Sequence, residues 1–333
     1  MVGSGRRAGR APPRLPGVSP LVFGLLAAAA LMHATWNVLL KTAGDPLRTS
    51  ARAMLAGAGV AVPAAFAGWL AIGRPALPPE ALGLAFASGL VETVYFVLLS
   101  AAYRRGDLSL VYPIARGSAP LLAVLSGTLI LGERITLLGA TGVAFLLAGI
   151  LCVQRPWTLL FGSVRRPAPG RQRDAVLLAL ATGAAIATYS SIDRVGTRLV
   201  APWLYEALLW VVGAAGLVAW IAAADRLRSR VAAVPGDLPD ELPAPPDAAA
   251  RAAGWGRSIA VGVLLLATYF LVLVALTLAP LTAVAPLRES AIVIGSGWGA
   301  LRLGEAAGRR EAAWRLAGAA LIVAGALLLG LAG

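Results

Sequence analysis

Apolar stretches long enough to cross a bilayer recur about ten times along these 333 residues. A crossing helix needs roughly 20 apolar residues, so the chain has room for about ten crossings and little else. Hydrophobic residues make up 59% of it and charged residues 14%, against about 45–50% apolar and about 25% charged in soluble domains. The expected fold is an all-α integral membrane protein of about ten transmembrane helices. A disordered chain, a disulfide-stapled module and a coiled coil are excluded by the same figures. Cys152 and His33 are the sole cysteine and the sole histidine. Protein-ligated zinc, iron–sulfur or two-histidine haem sites need several such ligands, so no metal site is expected.

The spans are expected near 18–40, 49–72, 80–102, 108–131, 136–153, 174–196, 202–224, 258–279, 282–303 and 312–331. Residues 1–17, basic and broken by Pro and Gly, read as a disordered tail. The apolar block after them exceeds the 7–15 residues of a signal-peptide core and reads as an uncleaved first span. Short breaks carry turn signals, such as Gly44-Asp45-Pro46 and Gly132-Glu133-Arg134. Two longer breaks, the Arg/Pro-rich linker 154–173 and the Pro-rich segment 225–257, are expected to be flexible loops. The first divides the spans into 18–153 and 174–331, five helices each.

These halves repeat one another. VYPIARGSAP (111–120) aligns with VAPLRESAI (284–292) once one residue is dropped, matching Pro113 with Pro286, Arg116 with Arg288 and Ser118 with Ser290. LGE at 131–133 then meets LGE at 303–305. Upstream, ATWNVLLK (34–41) lies over ATYSSIDR (187–194), pairing Trp36 with Tyr189, Asn37 with Ser190 and Lys41 with Arg194. An odd number of spans per copy forces the second copy to enter the membrane from the opposite side. Two inverted five-helix repeats are therefore expected, an arrangement of secondary transporters that puts the substrate site near the midplane, between the halves.

HATWNVLLK, YPIARGSAPLL followed by LGER, and APLRESAIVIG followed by LGE resemble the two EamA-type repeats of the drug/metabolite transporter superfamily. The resemblance runs over nearly all of 18–331. It implies ten helices in an inverted five-plus-five arrangement, with export or exchange of small metabolites and no use of ATP. The 225–257 insertion departs from the family pattern. No enzyme activity and no cofactor are implied, and no GxxxxGK[ST] phosphate loop occurs in the chain. Gly-rich IGSGWG (294–299) follows no strand and reads as close helix packing.

Polar residues inside the spans carry the functional reading, because a charge at mid-bilayer costs roughly 2.5–3.5 kcal/mol and usually faces a cavity or a partner. His33, Asn37 and Lys41 stand at i, i+4 and i+8 on one helical face. They are the only His, Asn and Lys of the chain. The stripe lines a cavity, or else His33 and Asn37 join helices by hydrogen bonds while Lys41 reaches the interface. Glu92, with Tyr95 and Phe96 on its face, is a candidate proton carrier or the partner of Arg116 or His33. Glu206, beside Tyr205, has a similar profile. Arg116 and Arg288, just after Pro113 and Pro286, suit carboxylate or phosphate recognition through the guanidinium fork, or else close a gate by ion pairing. Glu133 and Glu305 are expected to cap or bridge helix ends. The candidate substrate-binding set is thus His33, Trp36, Asn37, Tyr95, Arg116, Tyr189 and Arg288, with Glu92 and Glu206 for proton coupling and no catalytic residues.

The formal charge of +13 comes from 29 Lys+Arg against 16 Asp+Glu. The arginines lie mostly between spans, so anionic headgroups rather than nucleic acid are the expected counter-charge. The near absence of Lys and Asn suits a GC-rich genome and a bacterial plasma membrane. The positive-inside count favours an outside N-terminus, whereas the family resemblance implies cytoplasmic termini. The leading function is secondary transport of a small polar or amphipathic metabolite, with possible proton coupling. A lipid or lipid-precursor translocase is the alternative, and an integral-membrane sensor or enzyme a weaker one, because no acid–base set is visible.

Overall fold

The computed structural model describes residues 18–41, 45–105, 108–154, 169–232, 255–289 and 309–332. Among them are ten helices and no strands: α1 (Pro20–Lys41), α2 (Pro46–Ala71), α3 (Pro79–Arg105), α4 (Leu108–Leu129), α5 (Leu137–Gln154), α6 (Pro169–Gly196), α7 (Pro202–Ala232), α8 (Trp255–Leu278), α9 (Leu281–Glu289) and α10 (Arg309–Leu331). Five helices begin on proline, whose preset φ and missing N–H cost nothing at a first helical position. Asp45 caps α2 by accepting the Arg48 backbone N–H at 3.1 Å. The turn between α4 and α5 uses Gly132 at φ 65°, a left-handed conformation that glycine adopts without steric cost.

Five helices contain segments long and apolar enough to cross a membrane: Leu47–Ala71, Pro79–Ala102, Arg173–Gly196, Pro202–Arg230 and Trp255–Leu278. Their outward side chains, including Leu55, Phe66, Phe86, Val94, Leu177 and Val211, are exposed, as a surface solvated by hydrocarbon allows. The protein is a multi-pass helical membrane protein.

The helices overrun two expected boundaries. Segment 225–257 was expected to be loop from its first residue, yet α7 continues to Ala232. The sequence turns polar there without losing helix propensity: Asp225 pairs with Arg48 at 2.6 Å, and the Ser229 hydroxyl donates to the Asp225 carbonyl at 2.8 Å. The change of composition marks the edge of the apolar layer rather than the end of the helix. Likewise α6 starts at Pro169, inside the expected linker. Residues 1–17, 155–168, 233–254 and 290–308, with Glu305 and IGSGWG, lie outside the described residues, so the expected end of the ninth span at 303 does too.

Helix pairing maps onto itself when the first five helices exchange with the last five. α1 packs on α8 as α6 packs on α3, α2 on α8 as α7 on α3, and α1 on α9 as α6 on α4. The remaining major contacts join counterparts: α2 with α7, α4 with α9, α5 with α10. Close glycine contacts give the directions. Gly57 meets Trp210 and Gly68 meets Trp203, so α2 and α7 run antiparallel; Gly142 meets Gly325 and Gly149 meets Gly318, so α5 and α10 do as well. Counterparts that run in opposite directions are what an inverted repeat demands. By the same reading α4 and α6 are parallel, because Gly183 touches Ser118 and the Ser126 and Ser191 hydroxyls are 2.6 Å apart.

Lipid tails are as apolar as leucine, so such helices associate through close van der Waals packing at small residues. A Cβ added to Gly325 would stand 2.6 Å from the Gly142 carbonyl oxygen, whereas one added to Gly24 would meet nothing within 4 Å. Gly325→Leu should therefore lower stability by about 1–3 kcal/mol, the usual range for overpacking, read as a drop in thermal midpoint in detergent. Gly24→Leu should leave the midpoint unchanged.

Candidate functional site

The central cavity, of about 50 Å³, is lined by residues of α1, α3, α4, α6, α8 and α9. His33 and Trp36 come from α1, Glu92, Tyr95 and Phe96 from α3, Arg116 from α4, Tyr189 from α6, and Arg288 from α9; α8 adds Leu265, Thr268, Tyr269 and Val272. Helical period explains the grouping: i, i+3 and i+4 lie on one face, so His33 with Trp36, Glu92 with Tyr95 and Phe96, and Leu265 with Thr268 and Tyr269 each arrive together. α4 runs unbroken through Pro120 and α9 through Pro286.

Arg116 and Arg288 line the cavity together with His33. Arg116 Nη2 lies 2.8 Å from His33 Nε2, and Arg288 acts on the same imidazole through its charge. Arginine has no acceptor, so in this hydrogen bond Nε2 accepts and the imidazole proton belongs on Nδ1. His33 also packs edge-to-face on Trp36, with ring centroids 4.7 Å apart. The indole Nε1 of Trp36 is buried and has no partner among the described residues. A line of edge-to-face rings continues from Phe96 to Tyr95 at 4.8 Å, Tyr95 to Tyr189 at 6.0 Å and Tyr189 to Tyr269 at 6.0 Å. The cavity thus combines fixed cations, a carboxylate and a wall of aromatic faces, the chemistry of a small amphipathic ligand site.

Six of the seven expected substrate-binding residues line this cavity, and Glu92 joins them. The seventh, Asn37, shares α1 with them, but its side chain, like that of Lys41, lies outside the described residues. Glu206 stands behind the wall rather than in it. It is buried, its Oε1 has no partner among the described residues, and Glu92 and Asp193 are near enough for their charges to act on it.

Towards the N-terminal end of α1 the cavity is shut by two buried polar clusters. Asp193, fully buried on α6, accepts from Ser88 of α3 at 2.5 Å and Tyr205 of α7 at 3.0 Å, and from the cavity-lining Tyr269 of α8. Nearer the end, Glu133 accepts from Arg194 Nε at 3.0 Å and from the backbone N–H groups of Leu281 and Thr282 at 2.8 and 2.9 Å. The carboxylate thereby caps α9, where the helix dipole favours negative charge, and Arg194 also donates to the Leu276 carbonyl of α8. One ion pair fastens the α4–α5 turn and α6 to α8 and α9. The helix-end role expected for Glu133 is the observed one. Asp193 and Tyr269 were missed: Asp193 adjoins Arg194 and reads as an ordinary helix-end charge pair, and Tyr269 is one aromatic in a strongly apolar run.

A helical membrane bundle of paired counterparts thus surrounds a polar, aromatic-walled central cavity. Residues 21–155 match the EamA-like transporter family. A solved crystal structure superposes with a TM-score of 0.65 at 20% sequence identity, covering 94% of this chain and 99% of the other; it supports the fold. No curated protein sequence matches the chain.

The Glu133–Arg194 pair is 4% exposed on each side, and removing one partner of a buried pair leaves an uncompensated charge that costs about 3–5 kcal/mol. Arg194→Leu should destabilise the protein on that scale, and the double variant Glu133→Gln/Arg194→Leu by less than the single one. Chemical unfolding in detergent measures both.

Proposed function

We propose that the protein is a secondary transporter, an exporter or exchanger that moves a small polar or amphipathic metabolite by alternating access. The observation that carries this reading is the central cavity itself. Its Arg116 and Arg288 guanidinium groups, its Glu92 carboxylate and its aromatic wall converge from helices of both halves, and a buried ion pair closes one end. Alternating access requires such a site, reachable from one side at a time, with polar contacts that break and reform as the halves rock.

In this reading His33, Trp36, Asn37, Tyr95, Arg116, Tyr189 and Arg288 bind substrate. Trp36 offers an indole N–H that the described residues leave unused. Arg116 presents a planar fork suited to a carboxylate or phosphate, with His33 holding one of its nitrogens in place. Glu92 carries the coupling proton, with Glu206 as a second carboxylate behind it. The setting is a plasma membrane of a GC-rich bacterium. Comparing medium metabolites between a deletion strain and an overexpressing strain tests the function directly. Several small metabolites shifting in opposite directions in the two strains support it, and identical profiles count against it.

Two variants test the residue roles once a transported metabolite is in hand. Arg116→Lys removes the bidentate fork while keeping the charge, and should raise the KM for transport about tenfold or more, on the order of one lost charge-assisted hydrogen bond. An unchanged KM argues against substrate contact at Arg116. Glu92→Gln should abolish uphill transport driven by ΔpH while sparing counterflow exchange of labelled substrate. If the variant still concentrates substrate on ΔpH alone, the proton carrier lies elsewhere and Glu206 is the next carboxylate to test.

A further inference from the structure

The end of the bundle opposite the N-terminus of α1 holds a cationic cluster outside the central cavity. α2 begins there, α3 ends there and α7 leaves the apolar layer there. Two carboxylates occupy the cluster, and both are engaged by Arg48, which lies 3.2 Å from Asp45 and 2.6 Å from Asp225. Asp45 also holds the first turn of α2 through the Arg48 backbone N–H.

Among the described residues, Arg104 and Arg228 at this end have no carboxylate partner. Arg104, in the last turn of α3, is exposed and has neither a hydrogen bond nor an ion pair among the described residues. Arg228 of α7 has a buried Nη1 with no partner among the described residues. Each lies within range of the other's charge. Partial burial and the neighbouring Arg105 and Arg228 cations push the Arg104 pKa down, and Asp45 is the carboxylate that opposes them. A buried guanidinium N–H without an acceptor is costly, and a second guanidinium beside it makes a two-armed anion receptor.

The surroundings indicate which anion. The cluster sits at the ends of membrane-crossing helices, the level of lipid headgroups. Beside it, Leu227 on α7 is 54% exposed, and Trp220, two turns nearer the membrane centre on the same face, is 48% exposed. Such a face offers an acyl chain a path leading up to the arginines. Free phosphate would use the cations and leave that apolar path empty.

We propose that Arg104 and Arg228 together bind the phosphate of an anionic phospholipid, whose chain lies along the outer face of α7. This inference does not rest on the transport reading, since none of these residues lines the central cavity. The test is binding of dioleoyl-phosphatidylglycerol to the full-length protein in detergent micelles, with dioleoyl-phosphatidylcholine and inorganic phosphate as comparisons. Phosphatidylglycerol should bind in preference to phosphatidylcholine, and inorganic phosphate should not displace it. Arg104→Gln and Arg228→Gln should each weaken binding roughly fivefold, the contribution typical of one basic residue at a charged lipid surface. Arg134→Gln, an exposed arginine at the opposite end, should leave binding unchanged. Should Arg228→Gln fail to fold, the exposed Arg104→Gln carries the test alone. Wild-type affinity in Arg104→Gln, equal binding of phosphatidylcholine, or displacement by inorganic phosphate would each overturn the proposal.

Discussion

Hydrocarbon offers backbone N–H and C=O groups no hydrogen-bond partner, and each group left unpaired there costs several kcal/mol. Everything else in this structure follows from that constraint. It makes the apolar stretches helices, and it makes the polar side chains inside them seek partners. Asp193 answers it with three hydroxyl donors from three other helices. Glu133 answers it with one guanidinium and two backbone N–H groups at a helix N-terminus. Buried charge in this bundle is held by convergent donors from several helices, so it also fastens those helices together.

Without a hydrophobic force between helices in lipid, contact depends on how closely backbones approach. Glycines supply the approach at α2–α7, α3–α7, α4–α6 and α5–α10, and the counterpart pairs α2–α7 and α5–α10 meet antiparallel. The same small residues that let the halves interlock bring His33, Glu92, Arg116 and Arg288 to one cavity. Packing and site divide the helices: α2, α5, α7 and α10 meet their counterparts through close backbone approach, while α1, α3, α4, α6, α8 and α9 carry the cavity residues.

The shut end and the cavity have different chemistry for a physical reason. Towards the shut end both carboxylates are met: the Asp193 oxygens by hydroxyls, the Glu133 oxygens by Arg194 and the start of α9. In the cavity wall the Trp36 indole N–H has no partner among the described residues, and behind the wall neither does Glu206 Oε1. Satisfied carboxylates make a stable closure, whereas an unused indole N–H in the cavity wall leaves capacity for a ligand.

Much of the site was legible in the sequence because charge inside an apolar run is expensive enough to be meaningful. Glu92, Arg116 and Arg288 stand out for that reason, and His33 and Trp36 follow from spacing on one helical face. Asp193 was hidden by its neighbour Arg194, since a charge pair near the end of a run looks the same whether it faces solvent or three hydroxyls. Segment 225–232 was misread for a related reason: hydropathy reports where the membrane ends, while helix propensity carries α7 further. The sequence by itself determined the helices and their membrane setting, because both depend on local composition and period. Only the tertiary structure decided that Glu133 meets Arg194 and that Tyr269 answers Asp193. Those partners lie far apart along the chain and are joined by helix packing that no local pattern encodes.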